Sequence, residues 1–364
     1  MSSIDENLAF SPATELRELI LTREVSPIDI TRLYLERINR LDPQLHSYLT
    51  VTSEIALEDA RKAEQAVMAG EELGPLHGIP ISIKDLQMTK GVRTTGGSLA
   101  YKDRIPEADC AVVERVLAAG AIMLGKTNSP EFGLLGANEN RLGEPCRNPW
   151  NPERTSGGSS GGAAASIVAG LSSLATGGDG GGSIRIPASF NGIYGIKPTQ
   201  GRVSNYSGVN SISAANYTSQ QGPLTRTVRD SAVLLQVIAG YDNRDPGSLR
   251  ATVPDFEGAV DRGIEGLRMG WSSDFGYASV DPEVKEVSEK AAMVFAELRC
   301  DVDDAGLKLD GAFDTWFKLF SSHAYLTQGH LLEDPDDPLS WYARWAIEEG
   351  SKVTGSDYAR AVGE

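Results

Sequence analysis

Residues 155–187 alternate glycine clusters with small and apolar residues. Gly157-Gly158-Ser159-Ser160-Gly161-Gly162 leads into Ala163-Ala164-Ala165-Ser166-Ile167-Val168-Ala169-Gly170-Leu171, and Asp179-Gly180-Gly181-Gly182-Ser183-Ile184-Arg185-Ile186-Pro187 follows. Such composition usually marks a solvated linker. The interior argues otherwise, because the run 163–171 is helix-compatible and carries enough apolar surface to be buried. Glycines that flank a packed element allow close backbone approach and leave amides free to face an anion. Ser159 and Ser183, one in each cluster, therefore stand out as a candidate nucleophilic pair.

A serine nucleophile needs a base. Pro80-Ile81-Ser82-Ile83-Lys84-Asp85 reads as a short apolar strand that delivers a lysine into the interior, where burial lowers its pKa and makes it a usable base. Histidine is the commoner partner, but the chain has only His46, His77, His323 and His330, and His77 lies in the turn-like Gly74-Pro75-Leu76-His77-Gly78. Ser159 fits Gly-x-Ser-x-Gly without the preceding apolar strand that builds a nucleophile elbow. Gly120-Ala121-Ile122-Met123-Leu124-Gly125-Lys126-Thr127 spells a phosphate loop, yet its apolar middle is itself strand-like and Asn128-Ser129-Pro130 follows in place of a helix. It reads as a core strand after a helix over 110–119.

The remaining pattern is α/β. Ser26-Pro27-Ile28-Asp29 is a capped helix start leading into 30–41, and helices also suit 57–69, 227–239 and 284–298. Strand-like runs at 79–84, 121–125 and 267–271 alternate with them, which predicts a largely parallel or mixed sheet covered by helices. No composition break divides the 364 residues, so one domain over 1–364 is expected, with core motifs in 70–230 and variable substrate-lining parts near 204–221 and 250–364. The polar, aromatic tract 204–221 reads as a loop. Tyr206 and Gln220 in it are expected to line the substrate mouth, together with aromatic residues of 314–345.

A net charge of −16 disfavours nucleic acid and anionic membranes as partners. The N-terminus lacks a basic start followed by an apolar run, and no stretch reaches spanning length, which reads as a cytoplasmic protein. Cys110, Cys146 and Cys300 are few and scattered, fitting packed, reduced thiols; no metal-ligand spacing occurs and no cofactor is expected.

Taken together, Ile83-Lys84-Asp85, Thr94-Thr95-Gly96-Gly97-Ser98, Gly125-Lys126-Thr127-Asn128, Asn148-Pro149-Trp150-Asn151, the double-serine loop, residues 179–187 and Gly195-Ile196-Lys197-Pro198-Thr199 resemble the amidase signature family of serine hydrolases. Ser183 follows Ser159 by 24 residues, which agrees with the family's serine spacing. The resemblance implies an α/β/α sandwich around a twisted mixed sheet. It implies Ser183 as nucleophile, Ser159 as bridging serine after a cis peptide bond from Gly158, and Lys84 as base. Backbone amides of Gly180, Gly181 and Gly182 are expected to form the oxyanion hole, and Asp179 and Arg185 to order the nucleophile's loop. Asp85 reads equally well as a support for Lys84 or as a solvated strand end.

The expected chemistry is hydrolysis of a small amide, aryl amide, ester or carbamate by a monomer or homodimer. The alternative is a glutaminase-type component of a tRNA-dependent amidotransferase complex. An intact Lys84, Ser159 and Ser183 set argues against a non-catalytic binding protein. Family members continue past the helix resembling 356–362 into further elements, so the chain is expected to be truncated or reduced at its C-terminal end.

Overall fold

Alternation along one short strand organises the molecule. The computed structural model describes residues 5–209 and 217–364; the first four residues, and Asn210 and Asn216 of the tract read as a loop, lie outside them. Its main sheet contains β1 (Tyr48–Val51), β2 (Pro80–Lys84), β3 (Ile122–Thr127), β4 (Leu174–Asp179), β5 (Tyr194–Gly195) and β6 (Gln220–Thr225), hydrogen-bonded in the order β1-β3-β2-β4-β6-β5. The central β3, β2 and β4 run parallel, while β1, β6 and β5 pair antiparallel with their neighbours.

Every residue of β2 is buried, so its two faces carry different chemistry. Ile81 and Ile83 join the large core with Leu16, Ile30, Val116 and Leu234 from the helices Ala13–Leu21, Pro27–Leu45, Ala111–Ala118 and Val228–Ile238. Ser82 and Lys84 alternate with them and point to the opposite face. There Ala175 of β4 and Leu224 of β6 pack on Ala163, Ala164 and Ile167 of the helix Gly161–Val168. Helices thus cover both faces of a mixed sheet.

The helix inside the glycine-rich stretch is wholly buried except for Val168. It needs glycine to sit so close: a Cβ on Gly162 would lie 2.5 Å from both Asn128 N and Ser47 O. Ser26 caps the Pro27–Leu45 helix by accepting from Ile28 N at 3.0 Å, and the helix runs to Leu45, past the expected end. The helix expected over 57–69 begins earlier, at Ser53.

One expectation needs correction. The run 267–271 forms Arg268–Trp271, which pairs with Asp301–Asp304 in a separate two-stranded sheet and not in the main one. Its place in the main sheet is taken by β4 and β6, whose Gly and Gln content hides their strand character. The phosphate-loop letters run into β3, whose Ile122–Thr127 carries most of them, so the run is a core strand as expected. Lys126 is fully buried and donates to Gln87 O, to Thr89 Oγ1 at 2.6 Å and to Thr94 Oγ1 at 3.1 Å.

Candidate active site

β2 ends with Lys84 pointing at the N-terminus of the Gly161–Val168 helix. Its Nζ donates to Ser159 Oγ at 2.7 Å, to Ser160 Oγ at 2.8 Å and to the Gly178 carbonyl at 3.3 Å, and the side chain is 1% exposed. Three acceptors satisfy the three donors of an ammonium. Burial nevertheless opposes the charge and brings Lys84 down from the usual lysine value to about 7, against the pull of the Asp179 charge. The Gly158–Ser159 peptide bond is cis.

Ser183 starts the turn into the short helix Arg185–Asn191 and opens onto the same cavity as Lys84 and Ser159. Its carbonyl accepts from Ser160 N at 3.1 Å, tying the two glycine clusters together. Among the described residues its Oγ makes no hydrogen bond, so the link from Lys84 closes as far as Ser159.

Asp179, fully buried at the end of β4, orders this turn. Its Oδ1 accepts from Gly182 N at 2.7 Å, its Oδ2 from Ile184 N at 3.2 Å, and Arg185 adds a bidentate pair at 2.9 Å for each oxygen. Burial opposes its ionisation, but the Arg185 guanidinium and the loop amides together hold the carboxyl below the usual carboxylate range. This geometry changes the expected oxyanion donors. The Gly182 amide is already bonded to Asp179, whereas the amides of Gly180 and Gly181 carry no hydrogen bond among the described residues.

Asp85 follows neither reading of it. It is buried, and its Oδ2 accepts from Thr95 N at 3.0 Å, Thr95 Oγ1 at 2.5 Å and Gly97 N at 3.3 Å, so it shapes the 94–97 loop and makes no bond to Lys84.

The cavity above the serines has a volume of about 320 Å³. Phe132, Leu134 and Phe320 are among its apolar walls, and Gln87, Arg104, Gln221 and His323 add polar groups. Phe320 and His323 come from the helix Ala312–Gln328, inside the aromatic region expected to reach the mouth. From the same helix Trp316 Nε1 donates to Gly180 O at 2.5 Å and covers the glycine turn.

Tyr206 and Gln220 do not line this cavity. Gln220 is fully buried, its Oε1 accepting from Gly201 N and its Nε2 donating to Val203 O, both at 2.6 Å. β6 pairs Asp179 with Gln220 and Gly178 with Gln221, so alternation sends the next side chain, Gln221, to the cavity, where its Oε1 accepts from Gln87 Nε2 at 2.9 Å. Tyr206 lies under the Arg244 guanidinium, 3.9 Å from the ring centre. Ser160, Gln87 and Arg104 were not anticipated, whereas Gln221 falls in the 204–221 tract expected to line the substrate mouth. Gln221, beside Gln220, had a signal in strand register, whereas Gln87, in the turn after β2, and Arg104 had none.

Cys146 is buried and its thiol is pushed up to about 12 by that burial, which makes it a passive packing group. Among the described residues no cluster of His, Cys, Asp or Glu is placed to hold a metal ion, and no helix is long and apolar enough to cross a membrane.

A buried lysine bonded to a serine beside a second serine, on a helix-covered mixed sheet, is a candidate serine-based catalytic site. Residues 29–343 match the family model described as Amidase. The chain belongs to the amidase signature family. It is 42% identical over 80% of its length to a glutamyl-tRNA(Gln) amidotransferase component from Geobacter sp. (strain M21) and 35% identical over 98% to an acylamidase of Rhodococcus erythropolis. It spans 60% of the first of these relatives and 75% of the second. A bacterial aryl acylamidase of the same family superposes with a TM-score of 0.89 at 31% identity, covering 97% of this chain and 74% of that one.

Proposed function

We propose that the chain hydrolyses a C–N bond of a small amide through a Lys84–Ser159–Ser183 relay and an acyl-enzyme. The observation that carries this reading is the 2.7 Å contact between Lys84 Nζ and Ser159 Oγ in a buried setting. Neutral Lys84 accepts the Ser159 proton while Ser159 Oγ accepts that of Ser183, whose oxygen attacks the carbonyl carbon. The Ser183–Ser159 step requires the two hydroxyls to come into hydrogen-bond contact when substrate binds, as catalytic contacts often do. Negative charge developing on the carbonyl oxygen meets the amides of Gly180 and Gly181; losing one such donor costs about 3–4 kcal/mol of transition-state stabilisation. The C–N bond breaks as Lys84, through Ser159, returns the proton to the leaving nitrogen. Water then cleaves the Ser183 ester by the same relay.

Esters and carbamates present the same carbonyl to the same groups and belong to the proposed substrate range. The test is hydrolysis by the purified chain of a matched anilide, ester and carbamate. Turnover of none of them counts against the reading.

A second reading is favoured by the names of several relatives, which are components of glutamyl-tRNA(Gln) amidotransferases. In it the chain releases ammonia from an amide as part of an assembly. Turnover of a small aryl amide by the chain alone favours the free hydrolase, whereas glutaminase activity that appears only with partner proteins favours the second.

A further inference from the structure

Arg104 lines the wall of the cavity and forms no ion pair among the described residues. Its Nε donates to Thr94 O at 2.9 Å and its guanidinium lies 4.4 Å from the Tyr101 ring centre. Its two Nη groups make no hydrogen bond or ion pair among the described residues. The Asp85 charge acts on it, but Asp85 directs its Oδ2 at Thr95 and Gly97 and forms no ion pair with it.

The rest of the cavity sharpens the contrast. In a protein of net charge −16, the described residues that line it include Lys84, Arg104 and His323 but no Asp or Glu. A substrate ammonium would find no carboxylate there. A carboxylate would find a planar fork of donors held in place by stacking on Tyr101, which is the geometry that suits guanidinium–carboxylate recognition.

We propose that Arg104 is a specificity-determining residue that selects amides bearing a carboxylate remote from the scissile carbonyl. This inference rests on the amide-hydrolase reading above and names its substrate class.

The test compares kcat/KM of the purified chain on glutaryl, pentanoyl and 5-aminopentanoyl 4-nitroanilides, and on butyryl 4-nitroanilide with and without a ring carboxylate. A charge-assisted pair predicts about ten-fold or greater preference for the anionic member of at least one set, expressed mainly in KM, and the poorest turnover for the ammonium. Arg104→Met brings the anionic-to-neutral ratio near one, and Arg104→Lys keeps part of it. A purely structural role would lower both rates in parallel and leave the ratio unchanged, which overturns the assignment. The native comparison needs no variant: turnover of the neutral anilides with no anionic preference in either set overturns this inference and leaves the hydrolase reading standing. Absence of turnover on every anilide overturns both.

Discussion

Asp179 Oδ1 accepts the Gly182 amide at 2.7 Å, and this one bond decides which amides of the glycine turn remain free to face a substrate. It holds the turn before Ser183 against a carboxylate that Arg185 keeps ionised, so the loop is ordered by charge at its base and left open at Gly180 and Gly181.

Removing that carboxylate is therefore expected to cost both stability and rate. Asp179→Ala leaves the Gly182 and Ile184 amides without their partner, and a buried unsatisfied donor costs about 1–3 kcal/mol. Thermal melting should shift down by several degrees and kcat should fall by more than ten-fold. Unchanged kcat in a folded variant would mean that the turn keeps its shape without Asp179.

The relay members are expected to act as a unit. Ser183→Ala abolishes turnover, while Ser159→Ala and Lys84→Ala each lose several orders of magnitude, and the double variants lose little more than the worse single. Peptide mass mapping after reaction with a serine-directed fluorophosphonate should find the adduct on Ser183; an adduct on Ser159 alone would reverse the two serine assignments.

pH dependence follows from Lys84 at about 7. The base works when neutral, so kcat/KM on an uncharged anilide should rise with pH through a limb centred near 7. Stability has its own sign. The unfolded chain holds the Lys84 proton up to its usual range near 10.4, whereas the folded chain releases it near 7, so stability rises with pH across that window. Lys84→Met should raise the melting temperature more at pH 7 than at pH 10. An equal gain at both would contradict the depressed folded value.

Gly158 tests how tightly the serine loop is packed. A Cβ there would lie 2.1 Å from Ala137 O, a backbone atom that cannot swing away, whereas one on Gly143 would meet nothing within 4 Å. Overpacking of this kind costs about 1–3 kcal/mol or more. Gly158→Ala should lose stability and activity together, with Gly143→Ala close to native in denaturant titrations of both.

Chelation provides a separate check. The relay uses protein groups alone, so exhaustive dialysis against a chelator should leave the anilide rate unchanged. A loss restored by a divalent ion would point to metal-activated water.

Local pattern carried the candidate reactive groups because each sits where short-range rules are strong. Lys84 ends an apolar strand, Ser159 and Ser183 sit in glycine turns around a small-residue helix, and Ser26-Pro27 marks a helix start that the structure caps as expected. Weak local signals failed in the same terms: β4 and β6 are strands by pairing, not by propensity, and Arg268–Trp271 is a strand that pairs elsewhere.

What sequence alone determined, then, is the layered α/β plan and the choice of Lys84, Ser159 and Ser183 as the candidate set, since both are encoded in contiguous residues. Only tertiary structure decided that Gln221 and not Gln220 faces the cavity, because a strand's side chains change face at every residue and pairing with β4 sets the register. Only it tied the Gly182 amide to Asp179 and turned Asp85 toward Thr95. Arg104 reaches the cavity from a segment far from the helix that brings Phe320 and His323, and such convergence has no local signature because it is fixed by how the helices and loops pack on the sheet.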